Sequence, residues 1–149
     1  MSACGAPWAS SPLLSDETRI RSNDDVDAII AVVEAYADAL ESMSVDAVLP
    51  MISSEYYENS GTTDTTTDDY GFEGVFAMLE TLSSHVREMR VELEIKDIVV
   101  DGDRAEVLCD FGLTMLYEVG DAQRWQTERD VNRLQFQREE TGWLIVSGL

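Results

Sequence analysis

Apolar residues recur at helical spacing in Val26, Ile29, Ile30, Val33, Ala37 and Leu40, which predicts a helix over about 23–42 with one face turned to a core. Ser22-Asn23-Asp24-Asp25 supplies a cap and acids for its first turn. Ser44 then caps a shorter helical stretch through Val45, Val48 and Leu49, which Pro50 bends or ends near Ser53. Tyr56 and Tyr57 suggest a short strand, and Ser60 to Asp69, all Gly, Thr, Ser and Asp without an apolar period, reads as a mobile acidic loop. A third helix carries Phe72, Val75, Phe76, Met78, Leu79 and Leu82 on its apolar face, with Asp68 or Asp69 as its cap.

From Val86 onward the period changes to two. Val91, Leu93 and Ile95 alternate with Glu92, Glu94 and Lys96, and after the turn Asp101-Gly102-Asp103 a second run alternates through Ala105, Val107, Cys109, Phe111, Leu113 and Met115. Gly120-Asp121 marks another turn, a third run covers Arg124 to Arg138, and a last strand spans Trp143 to Val146. The order of helix, helix, short strand, helix and then a four-stranded antiparallel meander defines an α+β chain without a parallel βαβ unit. No internal repeat is present.

The composition sharpens this picture by exclusion. Among 149 residues, 30 are acidic and 10 basic, for a formal charge of −20, and lysine occurs once, as Lys96. Nucleic acids and anionic membrane surfaces need clustered cations, so neither is expected as a partner. The first half is the more anionic, with 16 acids against 2 bases in residues 1–80 and 14 against 8 in residues 81–149. Cys4, Cys109 and His85 are too few for a disulfide framework or a zinc site, and Asp64, Asp68, Asp69 and Glu73 lack the spacing of a calcium loop. Neither metal nor cofactor is expected. No apolar run is long enough for a transmembrane segment.

Residues 1–21 are read as a flexible tether, rich in Ser and Pro after Gly5. Ser2-Ala3-Cys4-Gly5 resembles the end of a bacterial lipoprotein signal, in which the cysteine is lipidated. An upstream leader would place the protein at the cell envelope through Cys4; without one it is cytoplasmic.

Residues 22–149 form the domain, and several of their features together resemble the nuclear transport factor 2-like superfamily, which includes the ketosteroid isomerases and the SnoaL-like polyketide cyclases. These are Ala31-Val32-Val33-x-x-Tyr36-x-x-Ala39-Leu40, Ser44-Val45-Asp46, Gly71-Phe72-Glu73-Gly74, and Leu134-x-Phe136-x-Arg138-x-x-x-Gly142-Trp143. The resemblance implies a cone: a curved antiparallel sheet wrapped around about three helices, with an apolar pocket inside. By analogy with ketosteroid isomerases, Tyr36 stands where a tyrosine donates to the developing enolate oxygen, and Asn132 where a protonated aspartic acid is the second donor. Their general-base aspartate falls near Asn59 or Ser60, with Glu58 beside it. Related scytalone dehydratases use a histidine pair, and this chain has only His85. Limonene-type epoxide hydrolases space Arg and Asp by one residue so that both face the pocket, whereas Arg129 and Asp130 are adjacent; Tyr57-Glu58-Asn59 does match their Tyr-x-Asn element.

Strand parity sorts the remaining chemistry. Leu134 and Phe136 set the inward face of the third long strand, so Glu128, Asp130 and Asn132 share it, while Trp125, Arg129, Val131 and Arg133 face out. Inward carboxylates must sit at the open mouth of the cone, find partners, or hold raised pKa values. Asp110 falls on the outward face, and Cys109 packs as a small apolar residue. The expected ligand is a small apolar molecule, contacted by Tyr36, Tyr57, Asn59, Phe76, Phe111, Asp130 and Asn132. If the chain is an isomerase, cyclase or dehydratase, Tyr36 and Asn132 stabilise an oxyanion and Asp130 or Glu58 is the base. Apolar residues on the outer sheet face, Leu108, Leu116, Trp125 and Val131, point to a homodimer through that face.

Overall fold

In a computed structural model of the chain, residues 8–14, 18–58 and 70–148 are described, with Glu58 and Tyr70 described in their backbone alone. Helix α1 (Asp24–Glu41) begins where expected because the Asn23 side chain accepts from the Val26 N–H at 2.9 Å. Its buried stripe is Val26, Ile29, Ile30, Val33, Tyr36, Ala37 and Leu40, joined by Ala39. Helix α2 (Val45–Val48) is capped by Ser44, whose side chain accepts from the Ala47 N–H. The proline acts sooner than expected: it tightens the chain into a 3-10 turn, Leu49–Met51.

Two short strands, β1 (Tyr57–Glu58) and β2 (Tyr70–Gly71), pair antiparallel and lead into α3 (Phe72–His85). The residue preceding α3 is Gly71, and no side chain caps the helix. The caps expected at Asp68 or Asp69 lie outside the described residues. Gly71 is suited to its place because a Cβ there would stand 3.2 Å from the carbonyl oxygen of Tyr56. On α3 only Val75 and Leu79 are buried, while Phe76 and Met78 are more than a third exposed.

The main sheet is the expected meander, β3 (Val86–Asp101), β4 (Arg104–Val119), β5 (Ala122–Glu139) and β6 (Gly142–Ser147), in the order β3-β4-β5-β6. It is curved and does not close on itself. Gly102 and Gly120 each take φ +60° at the first position of a two-residue hairpin loop. Pairing of β4 with β5 runs without a break from Arg104↔Gln137 to Val119↔Ala122. That continuity carries the face assignment of Leu134 and Phe136 all the way to the far end of β5.

Strand β3 is less regular. A bulge between Ile95 and Asp97 shifts its register, so that both Ile95 and Ile98 are buried and Val99 is exposed. Lys96 is the extra residue. Both edges of the sheet are partly occupied: Leu14 bridges to Ile95 on β3, and Ile52 bridges to Ile145 on β6.

The described residues of the stretch expected as a tether, 8–14 and 18–21, pack on the domain. The Ile95 N–H donates to the Leu13 carbonyl at 2.8 Å, the Ala9 N–H to the Ile20 carbonyl at 2.7 Å, and Ser11 Oγ to Glu34 at 2.6 Å on α1. Ile20 is buried in the core, and Leu13 and Leu14 pack against it. These residues show no period because each anchors on a different element. Cys4 lies outside the described residues.

Candidate functional site

Register on the inner face of the sheet fixes which side chains are neighbours. Leu93, Phe111 and Asp130 form one row across β3, β4 and β5, and Ile95, Cys109 and Asn132 form the next. Tyr36 reaches this surface from α1 and stacks on Phe111, with ring centroids 6.5 Å apart. Tyr36 thus stacks on Phe111, the ladder partner of Asp130, and Asn132 stands in the next row. The Asp130 carboxylate and Glu128 are exposed, Asn132 is half-buried and Cys109 is buried. The inward acids thus sit at an open mouth, in water.

An open cleft of about 820 Å³ is lined by residues of both sheet faces on these three strands. From the inner face it is lined by Val91, Leu93, Phe111 and Asp130, and Leu13 closes it at the β3 edge. Outer-face residues Glu92, Glu94, Asp110, Gly112, Arg129 and Val131 also border it. Most of those outer charges are already engaged with one another. Arg129 lies across Gly112, where a Cβ would meet its guanidinium at 3.2 Å, and donates to Glu92 on β3 at 2.8 Å. Lys96 pairs with Glu94 and, at 3.5 Å, with Asp110. Its hydrogen bond to Glu94, first, raises the pKa of the lysine. The inner half of the cleft is apolar apart from Asp130, which accepts from the backbone N–H of Val131 at 2.8 Å and makes no ion pair with any described residue.

Two expected contacts fall elsewhere, and neither Tyr36 nor Asn132 is itself among the residues that line the cleft. Phe76 is 38% exposed and does not line the cleft: Val75, Leu79 and Leu82 take the packed stripe of α3, and the next position is turned about 100° away. Tyr57 is 55% exposed and lines a separate polar cleft with Glu55, Arg104, Gln135 and Gln137. The paired aromatic residues split because Tyr56 is the buried one. Asn59 lies outside the described residues. Conversely, Leu13 was invisible to periodicity, since a lone contact at a strand edge leaves no repeating signal.

Cys109 is fully buried, packed in the core. Burial, with Asp110 adding a smaller effect, pushes its thiol up to about 11. Among the described residues no group of three His, Cys, Asp or Glu side chains is arranged to hold a metal ion. Among the described residues no helix is long and apolar enough to cross a membrane.

No protein-family model matches the sequence, and no curated protein is significantly similar to it. Solved structures do match its fold. A ketosteroid isomerase-like protein from Erwinia carotovora superposes with a TM-score of 0.67 at 17% identity, over 85% of this chain and 95% of the other. A candidate dehydratase of the nuclear transport factor 2-like family from Streptomyces avermitilis gives 0.66 at 15% identity, over 83% and 93%. A candidate aromatic ring hydroxylase from Novosphingobium aromaticivorans gives 0.67 at 19%, over 84% and 86%. At such identities the likeness is one of fold.

Proposed function

We propose that this chain, which has the nuclear transport factor 2-like fold, binds a small, largely apolar molecule over the inner face of β3–β5. The observation that supports this reading best is the cleft itself, lined by Leu13, Val91, Leu93 and Phe111 together with the charged Asp130, Glu92, Glu94, Asp110 and Arg129. Tyr36, stacked behind Phe111, and Asn132, two residues along from Asp130, are the polar contacts for a ligand oxygen. Tyr36→Phe keeps the stacked ring, so it should fold normally while weakening binding of 2-naphthol or a cyclic enone by about 1 kcal/mol. Asn132→Leu should act similarly. Titration calorimetry checks both, and parent-like affinity for every probe in both variants would remove these residues from the site.

Proton-transfer catalysis is the second reading, favoured by the position of Asp130, an acid at the cleft without a cationic partner among the described residues. In that case Tyr36 and Asn132 serve a developing oxyanion and Asp130 is the base, Glu58 being the other candidate. The same two substitutions would then lower turnover on the order of a hundredfold with little change in KM.

We further propose that a second copy of the chain covers the outer sheet face. Trp125 and Val131 are 48% and 60% exposed there, with Leu108 and Leu116 half-buried beside them. The same face gathers Arg90, Lys96, Arg104, Arg129 and Arg133, half of the 10 basic residues, against the acids Glu88, Glu92, Glu94, Asp97, Asp101, Glu106, Asp110 and Glu118. Its balance of −3 is a small share of the chain's −20, so two copies meeting there repel less than elsewhere. Sedimentation at low micromolar concentration should show a dimer that tightens as salt rises, since salt screens the net repulsion. Trp125→Asp with Val131→Asp should weaken it at least tenfold. A parent that sediments only at 16.6 kDa would refute the interface.

A further inference from the structure

Strand β5 outruns its neighbour. It has 18 residues, whereas β6 has 6 and pairs only with Gln135 to Glu139. From Ala122 to Asn132 one edge of β5 therefore has no strand beside it among the described residues, and Ala122 to Val131 are all exposed. Because Gly120-Asp121 is a two-residue loop closed by the pair Val119↔Ala122, the even-numbered residues of β5 turn their N–H and C=O to β4. The odd-numbered ones from Gln123 to Val131 turn theirs to the open edge, where the Val131 N–H donates to the side chain of its own neighbour Asp130 at 2.8 Å. The opposite edge of the sheet is covered. On β3 the N–H groups of Val91, Ile95 and Ile98 donate to Glu41, to the Leu13 carbonyl and to Asp97, and a bulge bends the strand. The open stretch of β5 has no bulge, proline, glycine or lysine to deter pairing.

We propose that this edge pairs antiparallel with the same edge of a second copy, about a two-fold axis at Thr127, through about ten backbone hydrogen bonds. The contact is separate from the outer-face dimer proposed above. In this register Thr127 faces its own counterpart, Gln126 faces Glu128, Trp125 faces Arg129 and Arg124 faces Asp130 of the second copy. Each charged residue of the stretch thus meets an opposite charge, an amide or an aromatic face. The next register in one direction sets Glu128 against itself, and the next in the other sets Asp130 against Ala122. Charge favours the place as well: residues 122–132 hold Arg124 and Arg129 against Glu128 and Asp130, a neutral stretch on a chain of charge −20. Two-fold pairing consumes both open edges, so association through them stops at the pair.

Sedimentation of the full chain over the micromolar range, together with amide hydrogen exchange, tests the pairing. Arg124 and Asp130 lie on the inner face, so changes there leave the outer-face contact alone. Arg124→Asp and Asp130→Arg should each weaken association at least fivefold by setting like charges together, and the double variant should return to within twofold of the parent. Thr127→Pro removes an outward N–H and no bond to β4, so it should fold and weaken association at least tenfold. The Trp125, Thr127 and Arg129 amides should be protected at high protein concentration and exchange freely on dilution, while those of Gln126 and Glu128 stay protected at both. Loss in both single variants without recovery in the double, or free exchange of the three outward amides at every concentration, overturns the edge pairing. Dimerisation that persists unchanged in all these variants belongs to the outer face and overturns it too. A parent that stays monomeric throughout overturns both contacts.

Discussion

Phe136→Ala should destabilise the protein by about 3–5 kcal/mol, read as a shift in the urea midpoint at unchanged slope. Phe136 is 1% exposed and is the largest of the fully buried side chains. It faces inward from β5 between Ala105 on β4 and Ile145 on β6, its partners in the ladder. Neither can fill the space that an alanine leaves: Ala105 has no reach, and Ile145 is fixed by pairing on both sides, to β5 and to Ile52. A cavity therefore persists, and its cost adds to the lost transfer energy of the ring. Phe136→Leu, which retains most of the volume, should cost less than half as much. An alanine variant within 1 kcal/mol of the parent would mean that the inner face of β5 does not pack as described.

That residue was legible in the sequence, and the reason is instructive. Along β4 and β5 the pairing runs unbroken, so a period of two holds over the whole length and the pair Leu134 and Phe136 dates every other position back to Asp130 and Glu128. Strand β3 broke the same rule. The extra residue at Lys96 moves the buried position from 97 to Ile98, and neither a glycine nor a turn residue announces it. The bulge answers a long-range need, the fit of β3 against both β4 and the Leu13 segment, which a local pattern does not encode.

The candidate site divides along the same line. Asp130, Asn132, Phe111 and Tyr36 were placed by parity and helical phase, and in the structure Tyr36 stacks on Phe111, the ladder partner of Asp130, with Asn132 in the next row. Phe76 belongs to the apolar stripe that spacing gives the third helix, and Tyr57 to a Tyr-x-Asn element, yet neither lines the cleft. In each case a neighbour, Tyr56 or Val75, took the buried position. Leu13 and the packed stretch around it escaped notice because single anchoring contacts leave no repeat to read.

Ser53→Ala should cost about 2–3 kcal/mol although it removes a single atom. Ser53 is fully buried, the one polar side chain so placed among the described residues. Its hydroxyl donates to Glu139 Oε2 at 2.6 Å and accepts from the Glu55 N–H at 3.0 Å, while its own N–H donates to the Ile145 carbonyl at 2.9 Å. Gln137 extends the network, donating to Glu55 at 2.6 Å and to Glu139 at 3.3 Å. The turn after α2 is in this way bound to the ends of β5 and β6. Alanine removes the donor to a carboxylate and leaves the Glu55 N–H without its acceptor, and unpaired groups of this kind cost more than the bond itself contributes. Glu139→Gln keeps an acceptor for the hydroxyl but removes the charge, so it should cost less. Because the two residues share one bond, their effects should not add: the double variant should be at least 0.5 kcal/mol more stable than the sum of the single losses implies. Strict additivity in denaturant titrations would mean that the Ser53–Glu139 contact contributes nothing, and that the turn is held by its backbone bonds alone.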